Sequence, residues 1–368
     1  MRGVPAGAPL SAVGDGDSDA DCETHVGSAV AVKVLSTVYV TDHRAKVGVR
    51  KGSLTVARDS GTTRIPLEGI DSVLLLGRAQ ITSDALASCA ARGVRVASLK
   101  RNGALRFACG GPMGGNVHLR SAQHAAAADE QRSLTLARCF VAAKIRNSCT
   151  VVDRWSRDAD GILAESLRNR SHQIRERLGR IGAARDGDHL RGIEGDAARL
   201  YFTCIGQALS ESPLSFTARS RRPPRDPVNA AMSFCYGLLT TELIGGLDAV
   251  GLDYQVGYLH RGRSGRPSLA LDLAEELRPV CDRFVVTLVR RRQLGLSDFE
   301  RVPGGAVYFN NGGRARLLER WEEHREHAFR HAALERPIER WALPTVQATL
   351  LARHLRGDLP MYPPFVLS

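Results

Sequence analysis

The chain has 368 residues, enough for two or three domains, and its hydrophobic content of 43% is typical of a globular protein rather than a disordered one. Lysine and arginine number 51 against 39 aspartates and glutamates; the resulting formal charge of +12 favours an anionic partner, and nucleic acid is the first candidate. There is no signal-peptide pattern and no uncharged apolar run of the ~20 residues that a membrane span needs, and the eight cysteines form no CxxC pair. These features predict a cytoplasmic protein with reduced thiols and no membrane contact.

Residues 1–27 are rich in Gly, Ala, Ser and Asp without apolar periodicity, which predicts a disordered extension. Its GDGDSDAD run is similar to a calcium-binding loop. Counted from Asp15, however, the sixth position is Ala20 where such a loop needs glycine, and the twelfth is Val26 where it needs glutamate. We therefore interpret the run as a solvated acidic tail.

Residues 28–111 carry short β-branched runs separated by turn sequences, with one helical pattern at residues 82–92. This pattern of short strands and turns predicts a small N-terminal β-rich domain. The glycine-rich segment GGPMGGN, residues 110–116, marks the boundary. Beyond it the patterns become helical, so residues 112–368 are predicted to form a larger all-α domain, which makes the chain an α+β protein. The predicted helices include residues 120–147, 153–168, 172–181, 192–208, 228–250 and 314–333, and the proline-containing tail, residues 360–368, is predicted to be irregular.

The stretch GYLHRGRSGRPSLALDLAEELRP, residues 257–279, places a histidine before a basic loop and an acidic helix. Asp272 precedes Glu275 by three residues and Glu276 by four, so the three carboxylates can share one helix face, with His260 in reach from the loop. Such a cluster is compatible with half of a metal site. A solvated helix face carries the same residues, and this stretch alone does not decide between the two.

A second carboxylate source is the helical pattern GIEGDAARLYFTCIGQA, residues 192–208. Glu194 stands at the edge of its apolar stripe, where a carboxylate needs a metal, an arginine or a proton. The alternative is a first-turn glutamate that the helix dipole favours. Glu242, an acid within the apolar helix 228–250, is a reserve candidate for the metal site, although a buried structural pair is the simpler interpretation.

Two basic loops, ARSRRPPRD at residues 218–226 and RGRSGRP at residues 261–267, precede long helices. Arginines on loops suit contacts with phosphate groups. A solvated linker is the alternative for the first loop.

The motifs GIEGDAARLYF, PRDPVNAAMSFCYGLLTTEL and GLDYQVGYLHRGRSGRPSLALDLAEELRPVCDRFV follow one another in this order. Together they closely resemble the CRISPR-associated endonuclease and integrase family of spacer acquisition, Cas1, over residues 34–355. The resemblance implies that Glu194, His260 and Glu275 bind a divalent metal and that Asp272 supports them in catalysis. Many members have aspartate at the place of Glu275. The resemblance further implies DNA contacts from Arg222, Arg225, Asn229, Arg263 and Arg266.

The resemblance also implies the reaction, in which the 3′-hydroxyls of a short DNA duplex attack phosphodiesters of a CRISPR repeat. Two carboxylates and one imidazole suit Mg²⁺ or Mn²⁺. The implied partners are double-stranded DNA, a second copy of the chain in a homodimer, the companion adaptation protein Cas2 and, for some members, an accessory trimming exonuclease. Two rival hypotheses remain, a structure-specific nuclease for branched DNA outside any CRISPR system and a non-catalytic DNA-binding protein.

Overall fold

The computed structural model describes residues 31–34, 37–42, 44–58, 61–76, 78–100, 103, 105–111, 117–260 and 264–367. The predicted disordered extension, residues 1–27, and Arg263 lie outside these ranges. Strands predominate up to Cys109 and helices from Val117 onward, which confirms the predicted α+β class.

The N-terminal part consists of two sheets and one helix. A five-stranded sheet has the order β1-β2-β6-β8-β9, in which β2, β6 and β8 are parallel, and a four-stranded sheet has the order β5-β4-β3-β7. The strands are β1 Ala31–Val34, β2 Thr37–Val40, β3 Lys46–Arg50, β4 Ser53–Arg58, β5 Gly61–Pro66, β6 Ser72–Leu76, β7 Gln80–Ile81, β8 Arg95–Leu99 and β9 Leu105–Cys109, and α1 is Ser83–Ala91.

The parallel strands β2, β6 and β8 of the five-stranded sheet are buried on both faces. In β6, Val73 and Leu75 pack in the core shared with the four-stranded sheet, whereas Leu74 and Leu76 pack in the core shared with the helices. Successive side chains of a strand point to opposite faces, so a strand between two layers needs apolar residues at every position. This requirement explains the continuous VLLL run.

The helices after the sheets are α2 Val117–Ala128, α3 Glu130–Arg157, α4 Gly161–Arg180, α5 Gly187–Ala208, α6 Pro227–Val250, α7 Ser268–Arg290, α8 Asn311–Glu326 and α9 Leu343–Arg356. The central helix α3 packs against α4, α5 and α7, and α6 packs against α7 and α9. The predicted helix boundaries in this region are wrong. The predicted helix 120–147 is broken at Asp129 into α2 and α3, α3 continues to Arg157, and α4 joins most of the predicted helices 153–168 and 172–181. The helix α7 contains Pro279 in its interior and continues to Arg290.

The predicted helix 314–333 ends at Glu326, and the chain then forms a hairpin of β12, Ala328–His331, and β13, Arg336–Glu339. Another short hairpin, β10 Phe299–Arg301 with β11 Val307–Phe309, precedes α8, so the helical part is not all-α. The sequence after Glu326 contains good helix formers, but tertiary packing overrides that propensity. The ring of Phe329 in β12 lies edge-on to Phe365 at 5.1 Å.

Among the described helices, α6 is long and apolar enough to cross a membrane, with a mean hydropathy of 1.2 over 18 residues. However, 67% of that window is buried inside the protein. Its acid, Glu242, accepts a hydrogen bond from Trp321 Nε1 at 3.1 Å and lies 3.4 Å from Arg325 Nε. These contacts match a core helix whose acid forms a half-buried structural pair with Arg325.

Candidate metal centre

Three elements bring the predicted site residues together. Glu194 lies in the second turn of α5, Asp272 and Glu275 lie on α7, and His260 lies in the loop before α7. The side chain of Glu194 is 21% exposed, whereas those of Asp272 and Glu275 are 0% and 3% exposed. The site is therefore open to solvent at Glu194 and at His260, whose side chain is 18% exposed.

Asp272 holds the loop that carries His260. Its Oδ2 accepts the backbone N–H groups of Tyr258 at 2.6 Å and Leu259 at 3.0 Å, and its Oδ1 accepts the backbone N–H of His260 at 2.9 Å. Oδ1 also lies 2.7 Å from Nδ1 of the His260 ring. Because both of its oxygens accept hydrogen bonds from the loop, Asp272 supports the site by holding His260 in place.

The contact with Asp272 fixes the orientation of the imidazole. An ionised carboxylate only accepts hydrogen bonds, so Nδ1 carries a proton and Nε2 is left to face the site. Nε2 lies 3.8 Å from Oε1 of Glu275. A histidine whose second nitrogen is held by a carboxylate is the arrangement that metal-binding histidines commonly show.

Two features determine the path of the loop before α7: the close packing of Gly257 against neighbouring atoms and the hydrogen bonds of the buried Gln123. A Cβ on Gly257 would lie 2.7 Å from Cβ of Ser268 and 2.8 Å from the carbonyl oxygen of His260, so only glycine fits there. The fully buried Gln123 donates to the carbonyl oxygens of Asp253 at 2.7 Å and Val256 at 3.1 Å. These contacts place His260 over the first turns of α7.

Glu276 does not belong to the site, although the sequence allowed it to share a face with Asp272 and Glu275. Its Oε1 accepts the hydroxyl of Tyr362 at 2.7 Å, and its Oε2 accepts the backbone N–H of Phe365 at 2.6 Å. The tail, residues 360–367, has no helix or strand, as predicted, but Tyr362 and Phe365 are buried. Glu276 therefore anchors the tail on the other side of α7.

Two cations that the sequence analysis did not single out complete the site. Lys144 of α3 contacts Oε1 of Glu194, and its Nζ lies 2.6 Å from Oε2 of Glu275. Arg278, one helical turn after Glu275, pairs with Oε1 of that residue. The i,i+3 spacing of Glu275 and Arg278 was visible in the sequence. Lys144 gave a weaker signal, a lysine within the apolar run CFVAAKI.

These cations determine the ionisation of Glu275. Burial raises the pKa of this carboxyl, but Arg278, Lys144 and His260 outweigh burial and hold the pKa at about 2. Glu275 is therefore an anion at neutral pH despite its burial.

The donor set fits a divalent cation, although the described part of the chain holds no three His, Cys, Asp or Glu side chains already arranged around one point. Glu194 and Glu275 converge on a single cation, the Lys144 ammonium, which lies between them. Oε2 of Glu275 is buried and accepts no hydrogen bond of regular geometry. Two carboxylates on one cation and an imidazole nitrogen beside them are ligands that Mg²⁺ and Mn²⁺ accept.

The basic loop 218–226 lies beside this centre. Arg221 lines the same small cleft as Lys144 and Arg278, and Arg222 and Arg225 are exposed. Arg225 donates to the carbonyl oxygen of Gly304 at 2.6 Å. Exposed arginines on a loop that reaches this cleft suit contacts with a phosphate backbone. Arg266, in the loop before α7, is half-buried.

Asn229, for which the sequence analysis expected a DNA contact, is fully buried. Its Oδ1 accepts from Arg219 Nη1 at 2.7 Å and from the Ser220 N–H at 2.9 Å, and its Nδ2 donates to the carbonyl oxygen of Ala218 at 2.8 Å. In this position the amide holds the start of the basic loop against α6 and does not reach the surface.

A separate cavity lies in the helical part of the protein. It has a volume of about 370 Å³ and is lined by residues of α6, α7, α8 and α9, among them Leu277, Phe284 and Trp321. Glu194, His260, Asp272 and Glu275 do not line it.

Comparison with known sequences gives one family. The sequence profile described as CRISPR associated protein Cas1 matches residues 38–323. A CRISPR-associated endonuclease Cas1 of Rhodospirillum rubrum is 42% identical over 344 residues, which cover 90% of this chain and 98% of the relative. A CRISPR-associated exonuclease Cas4/endonuclease Cas1 fusion of the same organism is 34% identical over 326 residues, which cover 87% of this chain and 55% of the fusion.

Solved structures share the fold. A Cas1 protein from Thermotoga maritima superposes with a TM-score of 0.76 at 21% identity, over 87% of this chain and 97% of that one. A casposase bound to its integration product gives 0.77 at 21% identity, over 87% and 90% of the two chains. A chain of a Cas6-RT-Cas1–Cas2 complex gives 0.75 at 19% identity, over 90% of this chain and 36% of that one.

Proposed function

Because the chain belongs to the CRISPR-associated Cas1 family, we propose that it is a metal-dependent DNA endonuclease and integrase that inserts short foreign duplexes into a CRISPR repeat array. The observation that carries the proposal is the convergence of Glu194, Glu275 and His260 Nε2 beside an exposed basic loop. The N-terminal sheets supply none of these groups.

In the proposed reaction, the 3′-hydroxyl oxygen of the incoming strand attacks a phosphorus atom of the repeat. A new phosphorus–oxygen bond forms, the bond to the 3′-oxygen of the repeat breaks, and the proton released by the attacking hydroxyl is balanced by the proton that the leaving oxygen takes up. One phosphodiester replaces another, so the step needs no nucleotide cofactor and no protein nucleophile.

Glu194, Glu275 and Nε2 of His260 would hold a divalent cation, Mg²⁺ or Mn²⁺, which supplies polarisation of the phosphoryl oxygen and charge stabilisation of the attacking and leaving oxygens. Asp272 keeps the His260 ring oriented and its Nδ1 protonated. Arg278 keeps Glu275 ionised. Arg221, Arg222 and Arg225 would position the DNA backbone without reading bases, and we propose the same for Arg263 and Arg266.

The comparisons support the choice of partners. One structural relative is a complex that contains Cas2, and one sequence relative is fused to a Cas4 exonuclease. We propose that this chain works as a homodimer with Cas2 and a trimming exonuclease on double-stranded DNA, in the cytoplasm.

The test is integration of a labelled duplex into a supercoiled plasmid that carries a repeat, with Cas2 present and with Mn²⁺ or a chelator. Glu194→Ala and His260→Ala are expected to abolish strand transfer while duplex binding persists. Glu319→Ala and His172→Ala, at exposed positions on α8 and α4, are the matched controls and are expected to retain activity. Integration at the parental rate by either site variant would refute the metal-centre assignment.

The same assay, with branched DNA as a second substrate, separates the two rivals. A structure-specific nuclease would cut branched DNA yet fail to integrate into a repeat, and a non-catalytic protein would bind duplex DNA with unchanged strands in every metal condition.

A further inference from the structure

Lys144 is a buried lysine whose ammonium is directed into the carboxylate centre. Its side chain is 10% exposed, and its neighbours in α3, Ala143 and Ile145, are both about 1% exposed. A lysine in such surroundings requires a charged or hydrogen-bonding partner. It has two, Glu194 and Glu275, which belong to different helices.

The charges of the centre are nearly balanced without any metal. Lys144 and Arg278 carry two positive charges opposite the two negative charges of Glu194 and Glu275. Asp272 carries a further negative charge, but its oxygens face the His260 loop. The carboxylates that would bind a divalent cation are thus already neutralised by groups of the protein.

The position of the ammonium also matters. A divalent cation shared by Glu194 and Glu275 would lie between the two carboxylates, where the Lys144 ammonium lies, so the two cations compete for the same space. Arg278 differs, because among the described residues its guanidinium pairs with Oε1 of Glu275 and forms no ion pair with Glu194. Lys144 is therefore the cation that competes with a metal.

We propose that Lys144 is a built-in counterion that holds Glu194 and Glu275 together in the metal-free protein and competes with the divalent cation, so that it lowers the metal affinity of the centre. It is a positioning residue. Lys144 also lines a small cleft together with Ser148, Arg221 and Asp282. The inference rests on the proposed function, since it requires these carboxylates to bind a metal.

The test is Mn²⁺ binding to the DNA-free full-length protein, measured by calorimetry and by thermal unfolding with and without Mn²⁺. Lys144→Met removes the charge and keeps the length of the side chain. It is expected to lower the unfolding temperature without metal, because the two carboxylates lose their shared counterion, yet to bind Mn²⁺ at least tenfold more tightly. Arg278 remains in this variant and keeps Glu275 ionised.

A purely structural role for Lys144 would lower stability without tightening Mn²⁺ binding, and that result would overturn the inference. Lys144→Gln, which retains a hydrogen-bond donor, provides the same comparison if Lys144→Met does not fold. Lys144→Arg keeps the charge and is expected to show no tightening. Lys46→Met, at an exposed position in β3, controls for the loss of a surface lysine.

Glu194→Gln separates this inference from the proposed function. If Glu194→Gln abolishes Mn²⁺ binding but Lys144→Met leaves it at the parental affinity, the competition is wrong and the metal centre stands. If Glu194→Gln binds Mn²⁺ as tightly as the parent, the metal-centre assignment is wrong and the inference fails with it.

Discussion

Nδ1 of His260 lies 2.7 Å from Oδ1 of the fully buried Asp272, and this contact turns Nε2 towards Glu275. The same carboxylate accepts three consecutive backbone N–H groups of the loop, from Tyr258 to His260. Asp272 therefore determines both where the histidine lies and which nitrogen is available.

This relationship predicts the effect of Asp272→Asn. The amide can accept through one atom only, so the loop loses part of its support and Nδ1 loses its carboxylate acceptor. Mn²⁺ affinity is expected to fall about 10- to 100-fold, the range typical of lost carboxylate support behind a metal-binding histidine. Calorimetry measures this change, and an unaltered affinity would show that the contact with His260 is not needed.

Arg278→Met tests how Glu275 stays ionised. Burial raises the pKa of Glu275 and cations lower it to about 2, so removing Arg278 moves the pKa upward. The acidic limb of strand transfer is expected to shift to higher pH, because metal binding requires the ionised carboxylate. A pH–rate profile measures the shift. Arg278→Lys, which keeps the charge, should remain close to the parental profile, and identical profiles for the parent and Arg278→Met would contradict this explanation.

Glu276 predicts a pH dependence of stability that is separate from catalysis. Burial raises its pKa to about 8, although the Phe365 N–H, Tyr362 and Gln347 oppose the rise. Below the ordinary pKa near 4.5, Glu276 is protonated in both the folded and the unfolded chain, so its contribution to the free energy of unfolding is fully present. Between that value and about 8 the unfolded chain ionises first, so the free energy of unfolding falls by at most about 1.4 kcal/mol per pH unit from this group.

Glu276→Gln is expected to flatten this dependence, since the amide cannot ionise. Urea unfolding at several pH values between 5 and 8 measures it, with the exposed Glu319→Gln as control. If the parent and Glu276→Gln lose stability in parallel as the pH rises, a group other than Glu276 causes the pH dependence.

The basic loop predicts a contrast between Arg222 and Asn229. Arg222→Ala, at an exposed position, is expected to weaken duplex binding for all sequences alike and to reduce the salt dependence of binding by about one phosphate contact, with no change in stability. Asn229→Ala is expected to lower the free energy of unfolding by about 1–3 kcal/mol, because buried polar partners lose their hydrogen bonds. Duplex binding in a salt titration measures the first effect, and chemical unfolding measures the second. If Arg222→Ala lowered stability and Asn229→Ala did not, the assignment of Arg222 to the surface and Asn229 to the interior would be wrong.

Much of the fold followed from local patterns. The apolar run of β6 and the amphipathic stripe of α5 were visible because burial on one or two faces imposes a period on the sequence. The hairpin after α8 was not visible in the sequence. Its residue Phe329 packs against Phe365, which lies 36 positions later in the chain. Local propensity contains no information about that partner.

For the site, the sequence by itself determined the chemistry: the acids Glu194, Asp272 and Glu275, the histidine His260 and the basic loops, together with their resemblance to one family. Only the tertiary structure decided their arrangement. It separated Glu276, which anchors the tail, from Glu275, which faces His260, because adjacent residues of a helix point about 100° apart. It also brought Lys144 of α3 between two carboxylates of other helices. A charge in an apolar stripe shows that a partner is needed, but packing of helices far apart in sequence decides which one it meets.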